Sequence, residues 1–124
     1  MNARVLIADD DYDNRTILRQ VLESAGCTVR EAVDGEEAVA AAREYRPHVV
    51  LCDIGLPKLN GYEACRQMKA QAWDKKMILI AVTGWGQDDD RRKSQEAGFD
   101  HHMVKPVDPQ ALMKLLAELE SVKA

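Results

Sequence analysis

Apolar residues along this chain gather in short unbroken runs. Residues 5–8 (VLIA), 49–52 (VVLC) and 77–82 (MILIAV) are the strongest. Continuous rather than alternating runs of that length predict strands covered on both faces by helices. Residues 27–32 (CTVREA) and 101–105 (HHMVK) are weaker strand candidates. Between the runs the period becomes helical. Ile17, Leu18, Val21 and Leu22 share a face, and Gly26 falls at the C′ position that ends such a helix. Asp34 with Glu37, and Asn60 with Glu63, have the spacing of helix-starting capping boxes. A fourth helix opens near Asp88 and ends before Gly98. The last takes Asp108 as N-cap and Pro109 as its first residue, with a stripe of Leu112, Leu115, Leu116 and Leu119.

The order is strand then helix, five times over, which predicts an α/β fold with a doubly wound parallel sheet and right-handed crossovers. The first and third strands are the most apolar and belong at the centre. A flavodoxin-like order, 2-1-3-4-5, satisfies this and puts a topological switch point between strands 1 and 3. No linker or repeat interrupts the pattern, so residues 1–124 are expected to form a single domain.

With 46% hydrophobic and 31% charged residues, the chain has an ordinary globular composition, ample for a core without disulfides. A net charge of -4 argues against a nucleic-acid-binding surface. The longest basic run, Arg91-Arg92-Lys93, directly follows Asp88-Asp89-Asp90 and reads as a solvated helix start. Cys27, Cys52 and Cys65 form no CxxC pair and leave one thiol over. With no signal-peptide pattern and no long apolar span, they suggest the reducing cytoplasm and no membrane attachment. Cys52, inside an apolar strand, is expected to pack as a small hydrophobe. His48, His101 and His102 lack partners at zinc-ligand spacing.

Chemistry enters at the strand ends. In sheets of this kind ligands bind beyond the carboxyl ends of the strands, beside the switch point. Strand 1 ends in Asp9-Asp10, strand 3 in Asp53, strand 4 in Thr83 and strand 5 in Lys105-Pro106. Adjacent carboxylates at the edge of a core repel one another and lose hydration, unless a cation relieves them. Three carboxylates favour a hard ion such as Mg²⁺ (or Mn²⁺), which retains waters for a phosphate substrate. Lys105 adds a mobile positive charge, and Thr83 a hydroxyl able to donate to a phosphoryl oxygen. Together they suit phosphoryl transfer to a carboxylate. Asp53, alone on a central strand, is the better nucleophile; Asp9 and Asp10 look like a metal cradle. Asp11 is read as the N-cap of the first helix.

These residues carry a resemblance. The segments VLIADDD, VVLCDIGLPKLNGYE, ILIAVTGWG and AGFDHHMVKPVDP resemble, over essentially the full length, a receiver domain of bacterial two-component response regulators, the family that includes the chemotaxis receiver. The resemblance implies that Asp53 is the phosphoacceptor and that the domain catalyses its own phosphorylation from the phosphohistidine of a histidine kinase or a phosphotransfer protein. It implies Mg²⁺ on Asp10, Asp53 and the backbone carbonyl of Gly55, with Asp9 contacting it through water. Thr83 and Lys105 would bind the phosphoryl group, and the Lys105-Pro106 bond would be cis. Output would pass through the face of helix 4, strand 5 and helix 5, with phosphorylation-dependent homodimerisation as one possible consequence. The family's strand-5 aromatic switch residue corresponds to His102 here, and a histidine brings pH-dependent polarity to that position. Trp85, two residues beyond Thr83, is expected to shield the acyl phosphate from hydrolytic water. The segment GFDHHMVKPVDP resembles receivers at the C-terminal end of hybrid sensor histidine kinases more than those of DNA-binding regulators.

Rival readings fit less well. Asp9 and Asp11 form the D-x-D of a haloacid-dehalogenase-type phosphohydrolase, but Asp13 stands where Thr or Val is needed, and a cap domain has no room. A flavodoxin-like FMN carrier would need a hydroxyl- and Gly-rich loop after strand 1, where this chain has carboxylates. A degenerate receiver serving only as a protein-binding module would have no use for the acids, Thr83 and Lys105.

Overall fold

The computed structural model describes residues 3–72, 76–84 and 88–123, with the backbone alone at 88–91 and 119–123. Strand and helix alternate as β1 (Arg4–Ala8), α1 (Tyr12–Ser24), β2 (Thr28–Ala32), α2 (Gly35–Tyr45), β3 (Val49–Asp53), α3 (Gly61–Ala70), β4 (Ile78–Thr83), α4 (Asp88–Ala97), β5 (His101–Val104) and α5 (Pro109–Lys123). All strand pairs are parallel, in the order β2-β1-β3-β4-β5. This is the flavodoxin-like architecture expected from the sequence. Strand limits shift by about one residue from the apolar runs: β1 takes in Arg4, β3 takes in Asp53, and β4 begins at Ile78 rather than Met77.

The two faces of the sheet explain the unbroken runs. Leu6, Ala8, Val50, Cys52, Leu79 and Ala81 point one way, against Ala38, Ala42, Ala64 and Met68 of α2 and α3. Their neighbours Val5, Ile7, Val49, Leu51, Ile80 and Val82 point the other way, against Leu18, Leu22, Leu112 and Leu116 of α1 and α5. Successive strand residues face opposite sides, so a sheet covered twice needs apolar groups at every position. Each fully buried Leu or Ile stabilises the fold by roughly 1.5–3 kcal/mol. None of the three cysteines is in a disulfide, and all three are buried, Cys52 and Cys65 completely.

One helical expectation needs correction. Ile17 is 52% exposed, and only Leu18 and Leu22 of the proposed α1 stripe are buried. A step of one residue turns a side chain about 100° round the helix, which carries Ile17 off the sheet-facing line. The caps fall where the spacing put them. Asp34 accepts from the Glu37 N–H at 2.7 Å, Asn60 from the Glu63 N–H at 3.0 Å, and Asp108 from the Gln110 N–H at 3.0 Å. Gly26 has φ +91°, and the Cys27 N–H reaches back to the Leu22 carbonyl at 3.0 Å, closing α1. The side chain of Leu119 lies outside the described residues.

Candidate functional site

Register brings the polar strand ends level. Ala8 pairs with Cys52, Asp53 with Val82, and Thr83 with Val104. Asp9 and Lys105, each the residue after its strand, therefore emerge on the same edge of the sheet as Asp53 and Thr83. The Lys105–Pro106 peptide is cis, as expected, and the Lys105 N–H donates to the Thr83 carbonyl at 2.7 Å.

Asp9 and Asp53 are both buried, with relative exposures of 3% and 8%, whereas Asp10 is exposed. Oxygens of the three carboxylates lie within 4.8 Å of one another. Each buried acid is anchored by a neighbouring amide. The Asp11 N–H donates to Asp9 Oδ1 and the Gly55 N–H to Asp53 Oδ1, both at 2.9 Å. The other oxygens face Lys105, whose Nζ is 2.7 Å from Asp53 Oδ2 and 3.4 Å from Asp9 Oδ2.

Burial pushes the Asp9 carboxyl above its ordinary range, and the charge of Asp53 pushes the same way; the Asp11 amide and Lys105 only partly offset them. Burial works against the Lys105 ammonium, but its hydrogen bond to Asp53 and the charges of Asp53 and Asp9 outweigh that and raise its pKa. Three carboxylates against this ammonium leave negative charge in excess. A converging set of hard oxygen donors with uncompensated charge fits a divalent ion of the Mg²⁺ or Mn²⁺ kind.

Asp11 stands apart from the cluster: its Oδ1 accepts from the Asp13 and Asn14 N–H groups as the N-cap of α1, the role read from the sequence. Thr83 is buried, and its hydroxyl lies 2.8 Å from His102 Nε2. For Gly55 the structure gives the N–H contact to Asp53. Trp85 lies outside the described residues.

Two supports were not read from the sequence. Arg15, from the first turn of α1, donates to the Asp9 carbonyl at 2.9 Å and to Glu31 of β2 at 2.9 Å. It ties the acidic loop to the edge of the sheet. The available signal was Glu31, an acid inside a strand, with Arg15 and Arg19 one turn apart on the neighbouring helix. The other support is Gly61, where a Cβ would lie 2.5 Å from the Asp53 carbonyl oxygen. Its missing side chain lets α3 start directly against the strand end that carries Asp53, with the Gly61 N–H on the Ile54 carbonyl at 2.9 Å.

Known proteins resemble this chain in sequence and fold. The family model for the response regulator receiver domain matches residues 5–117. PilH of Pseudomonas aeruginosa is 38% identical over 114 residues, covering 92% of this chain and 94% of that protein. The alkaline phosphatase synthesis transcriptional regulatory protein PhoP of Bacillus subtilis is 36% identical over 110 residues, 88% of this chain; the match spans 45% of that longer protein. Among solved structures, chemotaxis protein CheY4 of Vibrio cholerae superposes with a TM-score of 0.89 at 28% identity, covering 96% of this chain and 99% of that one. The receiver domain of a sensor histidine kinase from Pseudomonas aeruginosa, solved with a magnesium ion coordinated in its active-site cleft, gives 0.87 at 30% identity, covering 96% and 98%.

Proposed function

The chain belongs to the response regulator receiver family, and from that premise we propose that it is a phosphorylation-controlled switch in a two-component phosphorelay. The carrying observation is the Lys105 ammonium seated 2.7 Å from Asp53 Oδ2 within a trio of convergent carboxylates. Asp53 accepts the phosphoryl group from the phosphohistidine of a histidine kinase or phosphotransfer protein. A carboxylate oxygen forms the new bond to phosphorus as the N–P bond of the donor breaks, and the released imidazole takes a proton from solvent.

Asp10, Asp53 and the Gly55 carbonyl, with Asp9 acting through water, are the residues that would hold Mg²⁺. Bound there, the ion would supply Lewis-acid charge to the phosphoryl oxygens. Lys105 follows the charge as it moves from the Asp53 carboxylate to the phosphoryl oxygens, and Thr83 donates its hydroxyl to one of them. The Gly55 amide keeps the Asp53 carboxyl from swinging while it reacts. Partner binding passes through α4, β5 and α5, where β5 is the edge strand of the sheet and Val104 is exposed. No helix among the described residues is long and apolar enough to cross a membrane, which is compatible with a cytoplasmic relay.

Intact-protein mass after incubation with acetyl phosphate tests this reading. Wild type with Mg²⁺ is expected to gain a single phosphoryl group, while Asp53→Asn and a metal-free control gain none. A wild type that stays unmodified under both acetyl phosphate and a phosphorylated kinase would instead make the chain a binding module without the chemistry.

A further inference from the structure

The first residue of α2 and the loop that follows β3 touch backbone to backbone. The Gly35 N–H donates to the Pro57 carbonyl at 3.2 Å. A Cβ on Gly35 would lie 1.8 Å from the Leu59 carbonyl oxygen and 2.6 Å from its carbonyl carbon. Neither a Cβ nor a backbone carbonyl has a rotamer to turn into, so any side chain at 35 forces the backbone to move. Resting on the phosphoacceptor reading above, we propose that Gly35 is a positioning residue for the metal: the start of α2 is a backstop that sets the loop over residues 54–60, and with it the hold of Asp53 and Gly55 on a divalent ion.

The loop is the side that has to yield. Behind Gly35, the α2 residues Ala38, Val39, Ala41 and Ala42 are buried in the core, so the helix cannot back away without opening it. The far ends of the loop are pinned as well. The Ile54 N–H is on the Val82 carbonyl at 3.1 Å and the Gly61 N–H on the Ile54 carbonyl at 2.9 Å. Between these pins, buried Leu56 and the fixed φ of Pro57 make the segment stiff. Gly55 belongs to that segment and is exposed, and its N–H holds Asp53 Oδ1 at 2.9 Å. A push at Leu59 is therefore passed along a short, stiff stretch to the residue that orients the phosphoacceptor.

The loop also needs holding. The Pro57 carbonyl accepts a second N–H, from Leu59 at 2.7 Å, which closes a γ-turn, and Lys58 at its centre has φ +67°. A positive φ belongs to the rarer, strained form of that turn, and the Cβ of a lysine disfavours it further. Such a conformation persists only where its surroundings impose it. Here they are Gly35, whose N–H shares the Pro57 carbonyl, and Asp34, whose Oδ2 is 3.6 Å from Lys58 Nζ. Lys58 is mostly exposed, so that ion pair adds little, and the backbone contact at Gly35 carries the hold.

Coupling is reciprocal: an ion held by Asp53 and Gly55 must tighten the contact at Gly35 by the factor with which the contact tightens the ion. In wild type, hydrogen exchange at the Gly35 and Leu59 amides should slow about five-fold or more on adding Mg²⁺, the low end of ordinary coupling. The Cys27 amide, on the Leu22 carbonyl at the end of α1, should keep its metal-free rate. Two variants then separate position from stability. Gly35→Ala strikes the loop, whereas Ala42→Gly weakens the last turn of α2 and leaves the loop contact alone. By calorimetry below Tm, the Mg²⁺ Kd should rise about ten-fold in Gly35→Ala, the low end for loss of an outer-shell support, and stay at the wild-type value in Ala42→Gly. Without metal, the Gly55 amide resonance should shift in Gly35→Ala only. An unchanged Kd in Gly35→Ala, an equal rise in both variants, or Gly35 exchange indifferent to bound Mg²⁺ overturns the role of Gly35. The exchange measurement uses wild type, so it decides the matter even where Gly35→Ala does not fold. A wild type that takes up no Mg²⁺ would overturn the metal-dependent phosphoacceptor reading as well.

Discussion

Asp9 sits in an unfavourable electrostatic position. It is almost fully buried, it faces Asp53, and its pKa is raised chiefly by desolvation. A carboxyl with a raised folded-state pKa binds its proton more tightly in the folded protein. The associated stability is present below the unfolded pKa and is lost as pH rises through the folded one. Ionising Asp9 in the metal-free protein therefore costs stability. Asp9→Asn keeps an oxygen for the Asp11 N–H and drops the charge. Urea unfolding in EDTA at pH 7.5 should find the variant more stable by about 0.5–2 kcal/mol, the usual gain from relaxing a functional site. The gap should narrow as pH falls and wild-type Asp9 takes up a proton. Equal stabilities at every pH would mean that Lys105 already neutralises the site. The sequence disclosed the acid pair, the lone Asp53 and the cap role of Asp11, because each is a local pattern. It gave no sign that Asp9 is buried while Asp10 beside it is exposed, since that depends on which way the chain turns after β1.

At the level of elements, the site depends on how α1 is held to β2. Arg15 and Glu31 are 2.9 Å apart with side-chain exposures of 11% and 25%, and Arg19 joins the same carboxylate. Burial works against the Glu31 charge, but hydrogen bonds from Arg19 and then Arg15 hold its pKa below the usual carboxylate range. With a lowered pKa, this contribution is present above the unfolded value and disappears as pH drops through the folded one. A double-mutant cycle of Arg15→Ala and Glu31→Gln should return a coupling of about 1–2 kcal/mol at neutral pH, falling toward zero in acid. Arg15→Ala should also slow phosphorylation by acetyl phosphate, because the guanidinium holds the Asp9 carbonyl. A coupling near zero at neutral pH would place Glu31 with ordinary surface pairs. This tie was hard to see in advance: Arg15 and Glu31 are sixteen residues apart, and their meeting needs the α1–β2 packing that local periodicity does not specify. The misplaced Ile17 has a similar origin. An apolar residue beside a buried stripe looks the same in sequence as one within it.

Across the whole molecule, the strand order was legible because apolar content is graded from the central strands to the edges. All five β3 residues are buried, whereas β2 and β5 are only partly so. That grading places β1 and β3 side by side, and the order in turn brings Asp9, Asp10 and Asp53 together. The site is thus assembled only in the folded state, and the unfolded chain has no comparable cradle. An ion that binds the cradle must then stabilise the fold by mass action. At a free concentration of about 100 times its Kd, the gain is about 2.7 kcal/mol. For a domain of this size, that corresponds to a rise in Tm of about 10 °C, taking about 4 °C per kcal/mol. Thermal unfolding with increasing Mg²⁺ should show Tm climbing with the logarithm of concentration and returning to its starting value in EDTA. The rise should shrink at lower pH, because the raised pKa of Asp9 lets protons compete with the ion. Asp10→Asn and Asp53→Asn should each lose most of it, while Thr83→Ala, which removes no carboxylate, should keep it. A Tm indifferent to Mg²⁺ in wild type would mean that Lys105 alone balances the acids, and the case for a metal-dependent phosphoacceptor would fall with it.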